Sequence, residues 1–170
     1  MTNQINQIQA TYNIYEDRIR LSIKTEDGQI FNAWLTRRFL GLLLPVLHGQ
    51  HPTTSEALFE DKATSASAET SSPDTTQANT DFNQPYEEPI NAKYPLGKAP
   101  LLLTKITFKD LGGLGAQFML EPETGSGFQL PFNPELLTAL LKILSQALQA
   151  ANWQLDLNTI LEMPTDMRLQ

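Results

Sequence analysis

Residues 19–47 read "IRLSIKTEDGQIFNAWLTRRFLGLLLPVL", and residues 116–144 read "AQFMLEPETGSGFQLPFNPELLTALLKIL". Laid over one another, the two stretches run without a gap. Glu26, Gly28, Phe31, Leu40, Leu43, Leu44 and Leu47 fall on Glu123, Gly125, Phe128, Leu137, Leu140, Leu141 and Leu144. The apolar alternation matches as well: Leu21, Ile23, Phe31, Ala33 and Leu35 fall on Phe118, Leu120, Phe128, Leu130 and Phe132. Such an internal repeat governs the fold assignment, because each copy is one supersecondary unit that buries its apolar face on its neighbour.

Each copy reads as strand, turn, strand, helix. "RIRLSIKT" alternates with period two, Ile19, Leu21 and Ile23 on one face and Arg18, Arg20, Ser22 and Lys24 on the other. "EDGQ" is an Asp-Gly hairpin signal, and "QIFNAWL" is the returning strand, after which Thr36 offers a hydroxyl N-cap. The second copy has "GAQFMLEP", the turn "ETGSG", "FQLPF", and a helix capped by Asn133 with Pro134 and Glu135 in its first turn. One further strand precedes each copy, "ATYNIYE" (10–16) and "LLLTKITFK" (101–109), and "WQLDL" reads as a short closing strand. The expected fold is α+β: two pseudo-symmetric β-β-β-α halves, antiparallel sheets packed with two helices, in residues 1–50 and 93–170.

Between the halves, residues 51–92 carry a net charge of −7, while 1–50 carry +1 and 93–170 carry −1. This segment is rich in Ser, Thr, Ala and Asp and poor in aliphatics, the composition of a disordered linker. The two halves are expected to form one domain around it. Phe82 and Tyr86 stand in it as isolated aromatics.

The helix at 37–48 is apolar on nearly all sides, through Phe39, Leu40, Leu42, Leu43, Leu44, Val46 and Leu47. Such a helix is buried all round, either between two sheets or in a homodimer. Pro45 predicts a kink or an early end. Helix 136–152 is amphipathic, with Lys142, Gln146 and Gln149 left for solvent.

Arg37 and Arg38 occupy the first turn of the apolar helix, where the macrodipole disfavours cations. Either Arg38 pairs with Glu16 or Asp17 and Arg37 is solvated, or the pair meets an anionic partner such as a nucleic-acid phosphate or an acidic protein segment. The chain's own linker is such a segment. With Ile19, Leu21 and Ile23 on the core, Arg18, Arg20 and Lys24 share the open sheet face with Asn32 and Trp34, and Lys105 and Lys109 share a face with Thr107. The candidate binding residues are therefore Arg18, Arg20, Lys24, Trp34, Arg37 and Arg38.

Chemistry is sparse. With no cysteine, disulfides and thiolate sites are excluded. His48 and His51 in "HGQH" lack a third metal ligand nearby and read as exposed helix-end residues. "GGLG" (112–115) lacks the Lys-Ser/Thr of a phosphate loop and reads as a turn. No nucleophilic triad is supported, and Glu121 and Glu123 merely flank a turn. No catalytic residue, cofactor or metal is expected. The longest apolar run, "FLGLLLPVL" (39–47), is far short of a membrane span, and the N-terminus has no apolar export region. A cytoplasmic protein without a membrane role is expected.

The residues Glu16-Asp17-Arg18, Leu35-Thr36-Arg37-Arg38, "YPLGKAPLLLTKI" and the ending "LLTALLKILSQALQAANWQL" resemble a family of uncharacterised proteobacterial proteins. The resemblance implies a small bacterial cytosolic protein and brings no activity or ligand. In element order alone, the doubled β-rich unit ending in a helix is similar to whirly and PUR-type single-strand binders. Together these readings point to a non-enzymatic binding or adaptor module with a protein partner or a homodimer. The alternative is a single-stranded nucleic-acid binder using the basic sheet face.

Overall fold

In the computed structural model the described residues are 4–59 and 87–153. Their elements are β1 (Ile5–Asn13), β2 (Arg18–Thr25), β3 (Ile30–Leu35), α1 (Arg37–Leu47), β4 (Leu101–Lys109), β5 (Gln117–Pro122), β6 (Phe128–Pro131) and α2 (Pro134–Ala151). The class is α+β, with six strands and two helices. The expected closing strand "WQLDL" continues past Trp153 and lies outside the described residues, as do Phe82, Tyr86 and most of the acidic segment. Residues 51–59 and 87–92, which the sequence assigns to the linker, make defined contacts: Leu58 packs against the core, and the Glu87 carbonyl accepts from Lys24 Nζ at 3.2 Å.

The expected pair of antiparallel sheets is corrected to one mixed sheet, in the order β1-β2-β3-β4-β5-β6. Neighbours are antiparallel except β3 and β4, which run parallel and pair through Ala33 with Leu101 and Trp34 with Leu102. Among the described residues that short seam is the ladder joining the two three-stranded parts. Curvature does the rest: the rings of Phe31 on β3 and Phe128 on β6 meet at 5.7 Å. In a flat sheet, strands three places apart stand roughly 14 Å from one another.

One face of the sheet is the core. Ile19, Leu21, Ile23, Ala33, Leu35, Leu103, Phe118, Leu120 and Leu130 line it, all buried. Seven residues of α1 are buried here within the single chain, from Phe39 to Leu47, so its apolar sides are met without a second copy or a second sheet. Each large side chain so covered contributes about 1.5–3 kcal/mol. Gly41 and Leu42 form its half-buried side. The helix passes through Pro45 and stops two residues later, where the backbone N–H of His48 closes onto Leu44 and Pro45 carbonyls. α2 is capped by Asn133 and ends at Asn152 in the left-handed conformation. It packs chiefly against β1.

The first strand starts five residues and ends three residues earlier than expected. It ends at Asn13 because the Asn13 side chain turns the chain: its Oδ1 accepts from the backbone N–H groups of Tyr15 at 3.0 Å and Glu16 at 3.3 Å.

Candidate functional site

The face of the sheet away from the helices carries the residues singled out in the sequence, and its registers place them in rows. Residues paired across strands point to the same side. Gln7, Lys24 and Ile30 form one row, and Gln9, Ser22 and Asn32 the next. Then come Thr11, Arg20, Trp34 and Leu102, a row that crosses four strands and the parallel seam. Asn13 and Arg18 close the face at the end of β1.

On β2 and β3 the first two rows are not open, although Gln9 at their β1 end is exposed, so the open part of the basic face is smaller than expected. Residues 87–98 run against them. Lys93 pairs by backbone with Gly28 and Ile30, and Ile30 is buried although it faces away from the main core. Ser22 Oγ donates to Asn32 Oδ1 at 2.8 Å, and both residues are buried. Asn32 Nδ2 turns to the Lys98 carbonyl at 3.5 Å. Lys24 is engaged at this end, donating to Gln7 Oε1 and to the Glu87 carbonyl, each at 3.2 Å. It stands six residues from Arg18, roughly 20 Å along the strand, and does not join the other candidates.

The third row is left uncovered. Arg20 is exposed, Leu102 retains 43% of its surface, and Trp34 is half-buried. The Arg18 guanidinium lies 5.0 Å from the Trp34 ring centre, in cation–π contact. Its charge is matched by Glu16 at 2.9 Å. That pair overturns the expectation that Glu16 serves Arg38.

Asp17 is also taken, and not by Arg38. Its Oδ1 accepts from Tyr12 Oη and from Trp153 Nε1, each at 2.8 Å. The indole N–H foremost, then the phenol, and last the nearby Arg37 charge hold the Asp17 carboxyl below the usual carboxylate range, with burial opposing. The same hydrogen bond pushes the Tyr12 hydroxyl up. Arg37 and Arg38 are exposed, and among the described residues neither they nor Arg20 are in an ion pair.

On the second meander Lys105 and Thr107 both address Glu121, at 4.0 and 2.7 Å, and Lys109 is exposed. His48 is exposed at the end of α1. His51 Nδ1 accepts from the backbone N–H groups of Thr53 and Thr54, each at 3.3 Å, and its ring faces Phe108. Among the described residues no group of three or more His, Asp or Glu is placed to hold a metal ion, and no helix is long and apolar enough to cross a membrane.

Sequence reasoning overlooked Thr11 and Leu102, whose place in the row depends on the β3–β4 pairing. It also overlooked Trp153, whose partner lies 136 positions away. No local pattern signals either. No family model matches the chain, and no curated protein and no solved structure resembles it significantly.

Proposed function

We propose that this chain is a non-enzymatic binding module that takes an extended protein segment across the row Thr11, Arg20, Trp34 and Leu102. The observation that carries this reading is the uncovered row itself: an arginine in no ion pair among the described residues, beside a tryptophan and a leucine, on a sheet whose first two rows are covered on β2 and β3 by the chain's own residues 87–98. Trp and Arg are the residues in which binding energy concentrates at protein interfaces. An acidic side chain would meet Arg20, and an apolar one would lie on Trp34 and Leu102.

A nucleic-acid ligand is less well served. The row offers one aromatic, and one face of that ring already carries Arg18. Stacking of successive bases needs open rings along a basic groove.

The architecture behind the row is two copies of one unit sharing one sheet. In support, three strands followed by a helix occur twice. The caps Thr36 and Asn133 fall at equivalent positions of the aligned copies, as do the positive-φ turn residues Gly28 and Gly125.

The test is a fluorescence titration in a Trp153→Phe background, which leaves Trp34 as the remaining indole of the two in the chain. The ligands are peptides with Asp or Glu two positions from Phe or Leu, side chains that face the same way about 7 Å apart in an extended chain. Saturable change in the Trp34 signal, abolished by Arg20→Glu, is expected. Binding of oligonucleotides instead, falling steeply with salt, would hand the row to nucleic acid. No response to either ligand class would end the proposal.

A further inference from the structure

The β1–β2 turn, Ile14 to Asp17, combines two properties that rarely meet. It presents large apolar side chains to water, with Tyr15 96% and Ile14 73% exposed. It is also braced at Tyr15, Glu16 and Asp17 by side chains from beside or outside it. Asn13 Oδ1 gathers the N–H groups of Tyr15 and Glu16. Glu16 is paired with Arg18. Asp17, at φ 49°, is fixed by Tyr12 from β1 and by Trp153 from beyond α2. Trp153 is itself buried and edge-on to the Tyr12 ring at 5.9 Å.

The other turns between strands, among the described residues, lack the combination. Leu114, equally bare, sits among Gly112, Gly113 and Gly115, where the backbone bond from Gly113 N–H to the Asp110 carbonyl is the hydrogen bond seen. The β2–β3 turn is well braced, through Thr25, Asp27 and Gln29, but exposes Glu26 and Asp27. A rigid turn bearing a tyrosine loses little conformational freedom on docking, which is the basis of preorganised affinity.

The surroundings of the turn define what it fits. Ile19 pairs with Leu35, so the chain leaves β3 for Thr36, Arg37 and Arg38 at the same end of the sheet as the turn. Glu16 and Arg18 cancel, and the exposed Asp17 carboxylate is engaged by the Tyr12 and Trp153 donors. Among the described residues, the charge at this end that no ion pair engages is positive and belongs to the two arginines.

We propose that the Ile14–Asp17 turn is a preformed knob that inserts Ile14 and Tyr15 into an apolar socket of a partner protein with an acidic rim, which Arg37 and Arg38 meet. The arginines stay at the start of an apolar helix, against the preference of its macrodipole, because that is where the rim arrives. This surface is distinct from the sheet row and does not rest on it.

The probe is a photoreactive benzophenone amino acid at position 15 of the full chain, irradiated in the cells that make the protein. The expected result is one adduct to a different protein. Its cross-linked residues should lie in an apolar pocket with Asp or Glu at the edge. Its yield should fall about tenfold on Arg37→Glu/Arg38→Glu and again on Asn13→Ala/Asp17→Ala, which removes the bracing, as truncation of hot-spot contacts does. Thermal melts of both variants check that the fold is kept, at the somewhat lower melting temperature expected where the Asp17 clasp is weakened. The same probe at exposed Glu123 serves as the control and should give no such adduct. Absence of an adduct, an adduct to a second copy of this chain, an equal adduct from position 123, or a yield indifferent to both double variants would each overturn the proposal. None of these readouts involves Arg20, Trp34 or Leu102, so the row and the knob fail separately.

Discussion

The Trp153 indole N–H donates to the Asp17 carboxylate at 2.8 Å, across 136 positions of sequence. This bond fastens the residue just past α2 to the hairpin that opens the sheet. Tyr12 completes the clasp, donating to the same oxygen and meeting the indole edge-on. A single exposed carboxylate thus ties β1, β2 and the C-terminal end of α2 together.

Trp153→Phe is therefore expected to keep most of the buried area and lose the donor, lowering the melting temperature modestly. Trp153→Ala removes the packing too and should cost about 3–5 kcal/mol, in line with truncation of buried aromatics. Urea denaturation of the two variants separates the contributions. Equal losses would mean that the hydrogen bond contributes nothing beyond the ring.

The clasp makes stability depend on acid. Hydrogen bonds from Trp153 and Tyr12, with help from Arg37, depress the folded-state pKa of Asp17, so ionised Asp17 favours the fold. That contribution is complete above the unfolded value, about 3.9, and fades as pH falls through the lower folded value. Asp27 behaves alike, through the Thr25 hydroxyl first. The melting temperature should drop below about pH 4, and Asp17→Asn should flatten part of that slope. An unchanged acid limb in the variant would show that Asp17 is not among the groups that set it.

What the sequence made legible was local. The alternation in "RIRLSIKT", the Asp-Gly turn and the caps Thr36 and Asn133 placed β2, β3, α1 and α2 to within a residue or two. The start of β1 was missed because Ile5-Asn-Gln-Ile-Gln is mostly polar; edge-strand pairing with β2 imposes the extended chain there, not its own pattern. The single sheet was missed because the parallel pairing of Ala33 with Leu101 and Trp34 with Leu102 joins residues far apart in the sequence, and nothing in either strand announces it. For the same reason Arg20 and Trp34 were legible as members of one face, but the covering of Lys24, Ser22 and Asn32 by residues 87–98 was not.

The Ser22–Asn32 pair is the polar centre of that covered region. Both side chains are buried, and together with the Lys98 carbonyl they satisfy one another. Asn32→Ala leaves Ser22 without its acceptor and should cost about 1–3 kcal/mol. Ser22→Ala/Asn32→Leu, which removes both polar groups and fills the space, should recover part of that loss. Chemical denaturation of the single and double variants reads the coupling directly.

Gly127 stands where the backbone of β5 passes close to the turn into β6. A Cβ there would lie 2.0 Å from the Leu120 carbonyl oxygen and 2.8 Å from Glu121 Cα, both main-chain atoms that cannot swing aside. Gly127→Ala should force the two strands apart and destabilise by about 1–3 kcal/mol or more. Gly41→Ala has nothing within 4 Å of its new Cβ and lies inside α1, where the gain over glycine is about 0.5–1 kcal/mol. Opposite signs in thermal melts of the two variants are the expected outcome.

The last prediction concerns the helix start. Arg37 and Arg38 are the first two residues of α1, with no acid in the first turn. Both cations oppose the macrodipole, but they differ in setting, because Arg37 also acts on Asp17. Arg38→Glu should therefore raise the melting temperature by a small amount, through a favourable anion at the N-terminus. Arg37→Glu should not, since the same helix gain is offset by a like charge brought toward the Asp17 clasp. A stabilising Arg38→Glu means that the native chain keeps a residue its own fold would do better without. That is the pattern expected of a side chain retained for a partner. If Arg38→Glu destabilises instead, the arginine serves the fold, and the acidic-rim half of the knob proposal loses its physical motive.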